Sequence, residues 1–311
     1  MFTRVFGKTS FWSYLIAFSI LSSSILRHYA IMNESDPNTV NIFKISVIGI
    51  LAICSLILVE WTVRRQRLFQ NGSYHLLVFS LFFWILPHKK WDLWLWVAIL
   101  FFWCSLIQLM SIRGNTNSRE VAFNAGFWLV FAVLFQANFC YFFLVLWLIL
   151  YFKGQLNYKN ILLTLFPILC IALIWAMLFV LIPNFPTLKI QSFTVVEHPI
   201  LWRESLIGNF NFLLVILTAI LVVIDHLKGL IHSNNERKIK TYNMILILIS
   251  SILIIFLNGF DNVIAWTSFL IIVAVLSNQY FESFKKKWLV DLFFIGFFGA
   301  VFKDLMLSAF N

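Results

Sequence analysis

Charge is scarce in this sequence. Asp, Glu, Lys and Arg make up only 12% of its 311 residues, against about a quarter in ordinary soluble domains. A soluble globule keeps much of its surface in water, and this chain has too few polar residues to clothe one. The shortage excludes a soluble enzyme and a disordered chain. Cysteine is scarce too. Cys54, Cys104, Cys140 and Cys170 all fall in apolar runs and none forms a C-x-x-C pair, which excludes a disulfide scaffold and reads as apolar filler. There is no Walker A run, no G-x-G-x-x-G, no G-x-S-x-G and no H-E-x-x-H. An ATPase, a dinucleotide enzyme and a zinc protease are therefore not expected, and no cofactor or metal is implied. The glycines make no G-x-x-x-G pair, and no internal repeat is visible. No polar stretch is long enough for a separate soluble domain.

What fills the chain is apolar. Hydrophobic types account for 61% of residues, with 36 Phe and 13 Trp, as suits lipid contact and interfacial anchoring. A helix needs about 20 apolar residues to cross a bilayer core about 30 Å thick. Segments that can do so lie near 11–31, 42–60, 69–87, 91–111, 122–136, 139–152, 161–182, 206–226, 243–259, 262–280 and 288–308. The expectation is an all-α, polytopic transmembrane bundle of about eleven segments. Residues 1–311 would form a single integral membrane domain. Arg4 and Lys8 precede the first segment, which ends in Arg27-His28-Tyr29 without a small-residue cleavage site. It reads as an uncleaved first span.

The stretch 122–152 decides parity. As one helix it would be about 46 Å long, too long without strong tilt. Broken at Gln136-Ala137-Asn138, it makes two short segments or a re-entrant hairpin. With the break and a cytoplasmic N-terminus, only Arg27, Lys44, Lys89, Lys90, Lys189, Arg203 and Lys303 fall outside, leaving sixteen of 23 cations inside. Without the break, ten fall inside and thirteen outside. The broken form obeys the positive-inside rule. It predicts an N-terminus on the cytoplasmic side and a C-terminus on the outer side. The formal charge of +10 then serves topology and membrane lipid contact, and no nucleic-acid partner is expected.

The outer loops hold the mixed chemistry. Glu34 and Asp36 lie in the first, just after Arg27 and His28. His88, Lys89 and Lys90 form the second, flanked by Trp84, Trp91, Trp94 and Trp96. Glu197, His198, Arg203 and Glu204 lie in the largest, 183–205. A carboxylate can act as general base on a hydroxyl, and cations can hold a phosphate leaving group. The Trp cluster reads as an interfacial belt or, more sharply, as a sugar-stacking platform. Intramembrane ionisable groups are few. Glu60, Asp225 and His226 lie at predicted cytoplasmic ends where water is near. Asp291 follows Lys287 at i−4, as in an ion pair or a snorkelling pair.

Ser111-Ile112-Arg113, Ala122-Phe123-Asn124-Ala125-Gly126-Phe127-Trp128, Ala132-Val133-Leu134-Phe135 and Asn71-Gly72-Ser73-Tyr74 resemble a family of multi-pass inner-membrane proteins from Bacteroidota. The layout is also distantly similar to GT-C glycosyltransferases. Those use polyprenyl-phosphate-linked sugars and keep an acidic residue in the first external loop. The resemblance implies Glu34 or Asp36 as catalytic acid or base. Arg27, His28, His88, Lys89, Lys90, His198 and Arg203 would bind substrate. A non-enzymatic scaffold of an envelope complex, or a carrier for a small or lipid-like substrate, is the alternative expectation.

Overall fold

The structure is a computed structural model that describes residues 2–35, 42–65, 72–85, 93–111, 118–181, 210–230, 235–258, 263–284 and 286–310. Among them the regular structure is wholly helical. The α-helices are α1 (Phe2–Phe6), α2 (Phe11–Ser35), α3 (Ile42–Arg65), α4 (Tyr74–Ile85), α5 (Leu93–Ser111), α6 (Ser118–Phe135), α7 (Phe142–Phe152), α8 (Tyr158–Leu181), α9 (Phe210–Leu230), α10 (Asn235–Asn258), α11 (Val263–Ser283) and α12 (Lys287–Phe310). A 3₁₀ turn, Ala137–Tyr141, links α6 to α7. The eleven apolar segments read from the sequence each coincide with one of α2–α12. The short α1 was not expected. Among the described residues, two helices are long and apolar enough to cross a membrane, over Phe43–Arg64 and Leu93–Met110. The four cysteines are free.

The chain divides into two compact units, Met1–Trp91 with Val195–Asn311, and Asp92–Thr194. In the second, α5 and α6 run antiparallel. The Ser105 hydroxyl donates to the Ala125 carbonyl at 2.8 Å, and Trp94 stacks on Phe135 with ring centroids 5.3 Å apart. At Gln136 the backbone turns extended, with φ −148° and ψ 103°. The chain then reverses. Phe142 meets Phe102 at 4.3 Å between centroids, and at the far end of α7 the Lys153 ammonium donates to the Leu109 carbonyl at 3.0 Å. So α7 runs parallel to α5 and antiparallel to α6. The break read at Gln136 is a true reversal, closed at the level of Phe102 on α5.

Two glycines make the rest of this unit possible. Gly154 ends α7 at φ +67°, where only glycine avoids a Cβ penalty. Around it, Gly154 N–H donates to Tyr151 O at 2.8 Å and Gln155 N–H to Leu150 O at 2.9 Å. This pairing satisfies the last carbonyls of a helix closed by a left-handed residue. Gly126 lies against the backbone of Thr164, so close that any Cβ would collide with it. That contact seats α8 on α6, and the Trp147 indole N–H fixes it by donating to Thr164 Oγ1 at 3.0 Å.

In the first unit, α2 and α3 are antiparallel, with Tyr14 beside Glu60 and Gly49 beside Ile25. Helix α4 runs with α2, since His75 reaches Glu60 and the Trp84 indole N–H donates to Ile20 O at 3.1 Å. Helix α11 opposes α4, and α12 runs with it, through Asn278 to Tyr74 and Phe297 to Phe82. One end of the unit, the Glu60 end, therefore gathers the starts of α2, α4 and α12 with the finishes of α3 and α11. It also carries exposed Arg4, Lys8, Arg64, Lys286 and Lys287.

Candidate functional site

The start of α4 is where this unit builds its polar structure. A helix begins with backbone N–H groups that have no partner in the helix itself. In α4 these are met from elsewhere in the chain. Ser73 N–H donates to Phe6 O at 2.8 Å. Tyr74 N–H donates to Asn278 Oδ1 at 2.8 Å. Gly72 N–H donates to Glu282 Oε1, and the Asn278 amide steadies that carboxylate at 3.1 Å. Gly72 is the residue that fits here, because a Cβ would meet the Glu282 side chain. The N-terminus is drawn in as well. Asp291 of α12 accepts from Thr3 N–H at 2.8 Å and from the Thr3 hydroxyl at 3.3 Å. Phe2 packs on Phe294 and Phe298. The expected Asp291–Lys287 pairing is thus replaced, since Lys287 Nζ donates to the Glu282 carbonyl instead. Residues 3 and 291 are brought together by tertiary packing that i−4 spacing does not encode.

Beside this corner lies the candidate site. Glu60 is on the last turns of α3, is 7% exposed, and shares its carboxylate among three partners. The Tyr14 hydroxyl donates to Oε1 at 2.7 Å. Arg64, one turn along at i+4, donates Nε–H to the same oxygen and Nη2–H to the Tyr14 hydroxyl. Oε2 faces His75 Nε2 on α4. An ionised carboxylate can only accept, so His75 Nε2 donates to Oε2. His75 is 1% exposed, and Nδ1 has no hydrogen-bond partner. Arg64, by contrast, leaves 54% of its side chain exposed. The cluster is graded from a wet cation to a dry imidazole, across three helices.

Burying a carboxylate costs its solvation and is tolerated only when the group is paired and fully hydrogen-bonded. Glu60 meets that condition on both oxygens. It is enclosed by partners, rather than merely near water as its position in the sequence suggested. On α9, His226 is 2% exposed, with its Nδ1 2.9 Å from Val222 O on its own helix. Among the described residues no group of three metal-ligating side chains occurs.

The residues expected at the outer face are less fully represented. The Arg27 guanidinium lies 5.1 Å from the Trp84 ring centroid, a cation over an aromatic face. Its neighbour His28, in the same helix, is 1% exposed. The backbone of Glu34 is in the last turn of α2. Asp36, His88, Lys89, Lys90, His198 and Arg203 lie outside the described residues. Of the Trp cluster, Trp96 is 1% exposed and Trp84 8%, so both are packed inside their units; Trp94 is half exposed. His75 was not singled out from the sequence. The signal that could have found it is a histidine inside an apolar helix, since intramembrane ionisable groups are costly enough to imply a role.

Compared with known proteins, the chain matches no family model, no curated protein and no solved structure.

Proposed function

We propose that the chain is a multi-pass protein of a bacterial inner membrane, with a cytoplasmic N-terminus, that works on a polyprenyl-phosphate-linked sugar at the opposite face. The observation that carries the membrane reading is the sidedness of the first unit. Exposed Arg4, Lys8, Arg64, Lys286 and Lys287 gather at the Glu60 end, and α2, α3, α4, α11 and α12 run alternately from it. Cations collected on one side of alternating apolar helices are the pattern the positive-inside rule describes. The Glu60 end would be cytoplasmic. The exposed apolar residues Leu169, Leu173, Met177 and Val180 of α8 would then face lipid.

The transferase part rests on the outer loops. Glu34 or Asp36 would take the proton from the acceptor hydroxyl. Arg27, Lys89, Lys90 and Arg203 would hold the donor phosphate, with Arg27 already braced on Trp84 at that end. The test is transfer of a labelled sugar from polyprenyl phosphate by membranes containing the protein. Wild type should transfer. Glu34→Gln or Asp36→Asn should lose at least a hundredfold, within the range for removing a general base. Unchanged transfer in both variants would overturn the assignment.

A carrier is the second reading, favoured by the reversal at Gln136. Non-helical backbone at membrane depth is tolerated only where protein or water covers it. Gln136 is 9% exposed and sits at the level of Phe102, inward from the start of α5. Uptake of a small solute by purified protein in liposomes, with no glycan transfer, would favour it.

A further inference from the structure

One stripe of α3 changes chemistry along its length. Ile50, Ile57, Trp61 and Arg64 are all exposed. Their spacing puts them on one face of the helix, and the face reads aliphatic, then aromatic, then cationic toward the Glu60 end. The start of α2, beside it at the Tyr14–Glu60 contact, repeats the pattern in reverse. Lys8 is exposed before the helix, and Trp12 and Leu15 are exposed within it. The other exposed tryptophan of this unit, Trp288, is at the same end, whereas Trp84 and Trp266 toward the opposite end are buried. The acids of the Glu60 end do not offset the cations at the surface. Glu60 is buried, and Glu282 and Asp291 are half-buried and turned to Gly72 and Thr3.

Arg64 differs from the other cations in being held. Its Nε–H and one Nη2–H are taken by Glu60 and Tyr14. A cation that only sets topology needs sign and position; it needs no buried carboxylate to orient it. A guanidinium has five N–H donors, and the remaining three lie on Nη1 and Nη2. No described residue accepts from them. Neighbouring N–H bonds on Nη1 and Nη2 form a fork that matches two oxygens of a phosphate.

We infer that Arg64 is the fixed arm of a binding site for the phosphate of an anionic phospholipid, with Lys8 adding charge and Trp12 and Trp61 at the level below the headgroup. The inference rests on the membrane reading above. A lipid fits better than a dissolved phosphate, because the same face continues from the cation into exposed tryptophan and isoleucine, where acyl chains would lie. Exposed tryptophans sit at the membrane interface, and clustered Lys and Arg draw anionic headgroups.

The experiment is native mass spectrometry of the full chain in an uncharged detergent, titrated with phosphatidylglycerol or with phosphatidylcholine of the same acyl chains. The first phosphatidylglycerol should bind about tenfold more tightly than the first phosphatidylcholine. Arg64→Ala should weaken phosphatidylglycerol about fivefold, the fold-change one cation near an anionic lipid carries, and leave phosphatidylcholine unchanged. Arg64→Lys, which keeps the charge but not the fork, should restore only part of that loss. Lys44→Ala, at the other end of α3, should bind as wild type. Equal affinity for the two lipids would overturn the inference, as would unchanged preference in Arg64→Ala or full affinity in Arg64→Lys. Displacement of the lipid by millimolar inorganic phosphate would overturn it in favour of a soluble ligand. The titration reads neither orientation nor sugar transfer, so its failure leaves the proposed function standing. A chain that stays soluble without detergent would overturn both.

Discussion

Tyr74 and Asn278 are 204 positions apart, yet the Asn278 amide oxygen caps the backbone N–H of Tyr74 at 2.8 Å. The start of α4 is built by α11, not by its own sequence. Losing a helix cap costs about 1 kcal/mol, and up to about 2. Asn278→Leu should therefore lower stability by about 1–2 kcal/mol in a denaturation of detergent-solubilised protein. Asn278→Asp keeps the acceptor but sets a second carboxylate against Glu282, so it should retain most of it only when combined with Glu282→Gln. Equal loss in both variants would mean the cap is not the reason.

Glu60 and Arg64 should respond very differently to truncation, although they are partners. Removing Glu60 strands His75, Tyr14 and Arg64 around a buried space, and breaking a buried pair costs about 3–5 kcal/mol. Removing Arg64 takes away an exposed partner worth about 0–1 kcal/mol. Melting curves of Glu60→Ala and Arg64→Ala should separate clearly. Similar losses would show that the carboxylate is not enclosed as described.

Close approach at Gly126 can be tested by adding volume. Gly126→Leu must push α8 off α6, and overpacking costs about 1–3 kcal/mol. The Trp147–Thr164 contact should be lost with it, seen as a shift in tryptophan emission. Unchanged emission and melting would place the two helices further apart.

The reversal at Gln136 predicts a specific neighbour. Leu109→Cys and Lys153→Cys, in a background with the four native cysteines changed to serine, should be joined by a short bifunctional maleimide. Leu109→Cys paired with Phe135→Cys should not, because Phe135 packs at the Trp94 end of α5. The opposite result would mean that α6 and α7 continue in one direction.

Helix positions were legible because apolar runs are long and the punctuation between them is clear. The break at Gln136-Ala137-Asn138 could be read because two amides interrupt an otherwise apolar run, and cation counting favoured it. Helix α1 was missed because five residues, Phe-Thr-Arg-Val-Phe, show no period; it is held by Asp291 and Phe294, which no local pattern reveals. The Tyr14–Glu60–His75 cluster was missed for a related reason. Its members come from three helices, and each alone looks like an interfacial side chain. Acids in loops are conspicuous in a sequence, because loops concentrate visible charge. The Glu60 cluster is at the other end of the unit, where the fold brings buried side chains from three helices into contact.

In the topology proposed above, the chain crosses a membrane an odd number of times with its N-terminus in the cytoplasm. The most direct measurement is a reporter active only in the periplasm, fused after Asn311, with expression and membrane insertion checked in parallel. That topology predicts an active fusion. An inactive fusion that is stably inserted would contradict it.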